Sequence, residues 1–260
     1  MPKNRPPERR RAGLTALPVA AFLALLWCCA GAATAPRDCV ILLHGLARTS
    51  DSMASMQAAL EQAGYQVVNL DYPSRHYTVD QLGELAVPPA IEACPTDSQL
   101  HFVSHSLGGI VLRHYLQQHP LPRLGNVVML GPPNQGSEIV DTLREVPGFA
   151  WLNGPAGLEL GTTEQDLPGQ LEQPDFSLGI IAGTQSINLL LSTLLPNPDD
   201  GKVSVESTKV AGMTDHISLP VTHPLMMRDE QVITQTLHFL RYGHFVHPPA
   251  ALHGEQNQHR

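Results

Sequence analysis

Residues 101–109 read His-Phe-Val-Ser-His-Ser-Leu-Gly-Gly, and no other stretch limits the fold as much. Leu100, Phe102 and Val103 give a short apolar strand signal. Immediately after it, Leu107, Ile110, Val111, His114 and Tyr115 recur at the spacing of one helix face. Ser106 therefore occupies a strand-to-helix turn with no residues to spare. So tight a turn excludes bulk two positions either side of the serine, and Gly108 meets that demand while Ser104 stands where a glycine is the usual choice. The start of the helix offers free backbone N–H groups and a positive dipole end to any negative charge that develops beside Ser106. Standing alone, such a serine also fits an ordinary strand–helix turn. Its meaning depends on what else the chain carries.

From residue 36 onward the chain alternates strand and helix signals, the pattern of an α/β fold with a mostly parallel central sheet and helices on both faces. Val40–Leu43 is wholly apolar, as a strand buried on both sides requires. Met53, Met56, Leu60 and Ala63 form a helix face that stops at Gly64. Val67–Leu70 is the next strand. Val79–Ala93 is a helical stretch expected to bend or break at Pro88-Pro89. After the Ser106 unit come strand signals at Val127–Leu130, Ile180–Ala182 and His216–Leu219, and a closing amphipathic helix through Val232, Ile233, Thr236, Leu237 and Leu240. Residues 132–176 interrupt the alternation with a Gly- and Pro-rich insertion carrying weak helix signals at Ile139–Arg144 and Leu158–Leu160. Insertions this long inside compact domains are usually functional. Phe149, Trp151 and Leu152 mark this one as a small cap able to cover an apolar substrate. The main domain is expected over 36–243, with a polar tail over 244–260 that does not pack.

The first 35 residues have a different character. A basic start (Lys3, Arg5, Arg9, Arg10, Arg11), an apolar stretch from Leu14 to Trp27 and the small-residue run from Ala30 to Ala35 follow the order of a secretory signal peptide. The apolar stretch is shorter than the ~20 residues of a spanning helix and contains Pro18, which favours cleavage over an uncleaved anchor. Taking five basic residues and one acid from the chain's 16 and 24 leaves 11 against 23, a net charge of −12. A surface that acidic argues against nucleic acid as a partner. Cys39 and Cys94 remain, and in an exported protein such a pair tends to be bridged. They sit at the same end of strands that neighbour each other in a sheet of this type; two unpaired core cysteines are the alternative.

Downstream of Ser106, His223 falls in the loop between the last strand and the last helix, whereas His216 lies within a strand signal and His238 on the closing helix. Pro198-Asp199-Asp200-Gly201-Lys202-Val203 is a loop with two adjacent carboxylates, and Asp215 stands too near its strand to compete with them. His44-Gly45-Leu46 follows the first strand, and Gly131-Pro132-Pro133-Asn134-Gln135-Gly136-Ser137 follows the strand after Ser106. Together with Ser104–Gly109, these motifs resemble the bacterial lipase/esterase branch of the α/β-hydrolases, to which palmitoyl-protein thioesterases and GPI inositol-deacylases are related. The similarity covers roughly residues 38–242.

The resemblance implies a nucleophile–acid–base chain order of Ser106, Asp200 and His223, with Asp199 the alternative acid. It implies an oxyanion hole made by the backbone N–H groups of Leu46 and Leu107. The activity so implied is cleavage of a small-molecule or lipid-like acyl ester or thioester through an acyl-enzyme, without metal or organic cofactor. Phe149, Trp151 and Leu152 would contact the acyl chain, and the cap would suit contact with a membrane surface. An acyltransferase using the same triad, or a non-catalytic binding protein on the same fold, stays open at this point.

Overall fold

The computed structural model describes residues 38–187, 192–196 and 198–248. The expectations for the leader over 1–35 and for the end of the tail lie outside these residues. Six parallel strands form one sheet in the order β2-β1-β3-β4-β5-β6. They are β1 (Cys39–Leu43), β2 (Gln66–Asn69), β3 (Leu100–His105), β4 (Leu124–Leu130), β5 (Leu178–Gly183) and β6 (Asp215–Leu219).

Strand alternation explains the unbroken apolar runs. In β1, Cys39, Ile41 and Leu43 face one hydrophobic layer while Val40 and Leu42 face the other. The first layer packs against α2 (Val79–Glu92) and α3 (Leu107–Gln118). The second packs against α1 (Ala54–Gln62) and the closing helix Glu230–Tyr242. Burying both faces supplies most of the driving force for this layered arrangement.

Two sequence expectations give way here. The helix α2 does not break at Pro88-Pro89 but runs through to Glu92, opened by a capping box of Thr78 and Gln81. The two prolines withdraw the bonds that the carbonyls of Glu84 and Leu85 would accept, and both of those residues are exposed, where water can replace them. The polar composition after 243 also misses a docked segment. Phe245 is buried against Phe239, its backbone N–H donates to Asp215, and His247 pairs with Asp215 at 2.8 Å.

The insertion after β4 folds into three short helices, α4 (Glu138–Leu143), α5 (Phe149–Leu158) and α6 (Leu167–Gln170). Sequence reasoning found α4 but missed most of α5, because Gly154 and Pro155 read as breakers. The helix does break there: Gly154 takes φ 66°, and a Cβ on it would lie 1.9 Å from the Arg75 carbonyl oxygen. The segment is tied to the main domain. Glu159 accepts the first N–H of α2 from Val79 at 2.8 Å and the Ala156 N–H donates to Tyr77, while within the insertion Arg144 pairs with Asp166 at 3.1 Å.

A disulfide joins Cys39 to Cys94, with Cα atoms 5.9 Å apart across a sequence separation of 55. It clamps the start of β1 to the segment leading into β3, at the opposite end of these strands from Ser106. Replacing both cysteines with serine is expected to lower unfolding stability by about 4 kcal/mol on the chain-entropy argument while leaving turnover unchanged. Denaturant titration beside an activity assay checks both halves, and a variant of unchanged stability would contradict the first. Among the described residues no helix is long and apolar enough to cross a membrane.

Candidate active site

Ser106 sits between β3 and α3 with φ 54° and ψ −122°. Among the described non-glycine residues only Ala47 shares a positive φ. Such strain persists only where surrounding packing imposes it, and it holds the hydroxyl up from the end of the sheet. That packing is specific. A Cβ at Gly108 would lie 2.6 Å from the carbonyl oxygen of Leu43 and 2.8 Å from that of His44, so glycine is what lets α3 approach β1. Ser104 is fully buried and its hydroxyl has no hydrogen-bond partner among the described residues. The departure from glycine there costs an unsatisfied oxygen rather than a clash.

His223 is buried at the start of a 3₁₀ turn, His223–Arg228, just after β6. Its Nε2 is 2.9 Å from Ser106 Oγ and its Nδ1 is 2.7 Å from Asp200 Oδ2. A carboxylate only accepts, so Nδ1 carries the proton and Nε2 is left to accept from the serine hydroxyl. The other oxygen of Asp200 accepts the backbone N–H groups of Lys202 and Val203 at 3.0 and 2.9 Å, and its carbonyl accepts the N–H of His223 at 3.0 Å. The acid is thus fixed from its own loop.

The rival candidates have other partners. Asp199 accepts from Gly201 N–H and Ser192 Oγ and shapes that same loop. His216 meets Thr208 Oγ1 at 3.0 Å, and burial pushes its imidazole towards the neutral form. Asp215 binds Phe245 and His247.

The His44-Gly45-Leu46 loop is braced by residues that carry no local signal. The His44 ring stacks on Tyr72 at 4.0 Å, accepts the Tyr72 N–H on Nε2 and donates from Nδ1 to the Gly45 carbonyl. The Tyr72 hydroxyl donates to the His44 carbonyl, and Ser74 Oγ accepts the Ala47 N–H. Desolvation holds His44 below the usual histidine range, which suits a neutral ring that supports the loop. His105, next to Ser106 in the chain, is a further residue that pattern reading passed over. It is buried, it donates from Nε2 to the His223 carbonyl at 3.0 Å, and burial with the nearby His223 keeps it far below the usual range. It fixes the backbone that carries the imidazole.

A cavity of about 480 Å³ opens beside Ser106 and His223. Its apolar side comes from the cap, through Ile139, Val140, Leu143, Phe149, Leu152 and Leu160. Phe149 and Leu152 line it. Trp151 does not: it is 83% exposed on the outer side of α5. Leu46 lines the cavity mouth, and Leu107 opens α3, where the first N–H groups have no preceding carbonyl to bind within the helix. Among the described residues no three His, Cys, Asp or Glu side chains gather as a metal site.

A family model described as the alpha/beta hydrolase fold matches residues 38–154. No curated protein matches the sequence. Among solved structures, the mature form of a Bacillus licheniformis lipase superposes with a TM-score of 0.65 at 17% identity, covering 80% of this chain and 93% of the lipase. A phospholipase from Legionella pneumophila superposes at 0.60 with 18% identity, over 78% of this chain and 57% of that one. A metagenomic carboxyl esterase gives 0.54 at 17% identity, over 73% and 65%. Taken with the six-stranded sheet and its flanking helices, these matches show that the chain has the α/β-hydrolase fold, with the family model matched over residues 38–154.

Proposed function

We propose that the protein is a serine hydrolase of acyl esters, of lipase, esterase or thioesterase type. The observation that carries this reading is the continuous hydrogen-bonded chain from Ser106 through His223 to Asp200, raised on a strained turn at the mouth of an apolar cavity. Ser106 Oγ adds to the substrate carbonyl carbon as its proton passes to His223 Nε2. Asp200 keeps the imidazole in the required tautomer and stabilises its cation. The Leu46 and Leu107 N–H groups meet the oxyanion. His223 then returns the proton to the departing alcohol or thiol as its bond to the acyl carbon breaks. Water, deprotonated by the same histidine, releases the acid and restores Ser106.

The similarity in fold to a lipase, a phospholipase and a carboxyl esterase supports an ester substrate. Phe149 and Leu152 give the acyl chain an apolar wall, and the tethered cap excludes water from the acyl-enzyme. The leader-like first 35 residues and the Cys39–Cys94 bridge support export to a periplasm or beyond. A fluorophosphonate probe is expected to label the wild-type chain and spare Ser106→Ala. A 4-nitrophenyl ester and acyl-thioester series should then show turnover that depends on chain length, with Leu152→Ser raising KM chiefly for the longer acyl groups. A folded wild-type protein that neither takes the probe nor turns over any member of the series would overturn the reading.

A further inference from the structure

The Ser106 cavity has a second side that catalysis of a neutral ester does not use. Besides the apolar residues of the insertion, it is lined by Arg48 and Lys202. Arg48 also lines an adjoining surface depression of about 640 Å³ together with Arg75 and His76, so that the two spaces share Ala47 and Arg48. None of Arg48, Arg75 or Lys202 forms an ion pair among the described residues. Asp71 is the acid in the depression, and it already accepts the Ser50 N–H. Two cations line the catalytic cavity itself and no acid does. Desolvation and then the neighbouring Arg48 charge push the Lys202 ammonium below its usual range, and the nearby Asp200 carboxylate offsets this only in part.

This concentration of unpaired positive charge lies on a chain with net charge −8. Surface cations on so acidic a protein ordinarily find carboxylates. Here two of them come from separate loops to the cavity that Ser106 also lines: Arg48 follows the His44-Gly45-Leu46 loop, and Lys202 follows Asp200. Guanidinium and ammonium groups so placed suit a phosphate or carboxylate oxygen set.

We infer that the preferred substrate is an anionic amphiphile, an acyl ester whose acyl chain lies along the cap wall and whose alcohol half bears a phosphate-like anion held between Arg48, Lys202 and Arg75. The inference rests on the ester-hydrolase reading and narrows it. Arg48 lines both spaces, and an ester that spans them would lie beside Ser106, which lines one of them. A neutral acylglycerol of equal chain length would leave these cations without an anion, which disfavours it.

A matched pair tests this: 1-decanoyl-glycerol-3-phosphate against 1-decanoyl-glycerol, which differ only in the phosphate. The ratio of their kcat/KM values is expected to favour the phosphate ester by about tenfold or more at low salt and to decline as salt rises. In the double variant Arg48→Gln/Lys202→Gln, with folding verified by thermal melting, the ratio should collapse towards one. A wild-type ratio near or below one, or a preference untouched by the double variant, would overturn the inference while hydrolysis of the neutral ester left the broader reading in place. A second measurement needs no turnover. Calorimetry on Ser106→Ala is expected to show decyl phosphate binding about tenfold or more tighter than decyl maltoside, with the difference lost in the Ser106→Ala variant that also carries Arg48→Gln and Lys202→Gln. Inorganic phosphate binding as tightly as decyl phosphate would mean an isolated anion pocket, and the two-armed substrate would be wrong.

Discussion

Replacing Ser106 with alanine is expected to lower kcat for ester hydrolysis by ~10⁴-fold or more, and His223→Ala to match it within an order of magnitude. The reason lies in the geometry. The two groups share one proton across 2.9 Å, and either alone leaves the other without a reaction to perform. For the same reason the double variant should be scarcely worse than either single one. Asp200→Asn is expected to cost somewhat less, ~10³–10⁴-fold, because an amide at 2.7 Å can present its N–H to Nδ1 and so favour the wrong imidazole tautomer. Asp199→Asn should leave kcat within a few-fold of wild type, since its carboxylate is turned to Gly201 and Ser192. Steady-state kinetics with melting curves as a folding control reads all four. A severe loss in Asp199→Asn beside a mild one in Asp200→Asn would transfer the acid to the earlier position.

The second large effect is expected far from any ionisable group. Gly108→Ala places a methyl group 2.6 and 2.8 Å from the carbonyl oxygens of Leu43 and His44. Both are backbone atoms with no rotamer to retreat into, so α3 and the end of β1 must separate. The loop displaced is the one that presents Leu46, while Leu107 moves with the helix. The two amides would cease to converge, and losing one such donor typically costs ~100-fold in kcat with KM little altered. Ser104→Gly, at the mirror position of the same turn, removes a hydroxyl that bonds to nothing and should leave kcat almost unchanged. A folded Gly108→Ala protein with normal kcat would show that the Leu46 amide is not part of the reaction.

Much of this was readable from the chain because each informative residue is held by local geometry. Ser106 announces itself through the demand for small neighbours in a tight turn. Asp200 and His223 do so through loops that must follow strands, and β1 and β3 through apolar runs that only a doubly covered sheet explains. What escaped depends on contacts distant in sequence or on helix phase. The fact that Tyr72 and Ser74 brace the His44 loop is set by the pairing of β1 with β2 and leaves no periodic trace. Trp151 suggests a substrate contact by composition, but Phe149 and Leu152 stand three residues apart on one face of α5, which lines the cavity, and the helical phase turns Trp151 to the other side. Arg48 and Lys202 are lone cations in separate loops, and only the closed fold brings them to one cavity.

The separation of nucleophile and base within the sheet has a consequence for how the protein fails. Ser106 rises from β3, held between β1 and β4, whereas His223 hangs from the loop after β6, the edge strand, whose sole strand neighbour is β5. Edge elements open at lower free energy than the centre of a sheet. On the proposed mechanism, catalytic competence therefore depends on a seam at the edge of the sheet. Mild stress can silence the protein while its interior and its disulfide remain intact, and recovery needs only the edge to re-dock rather than the whole chain to refold.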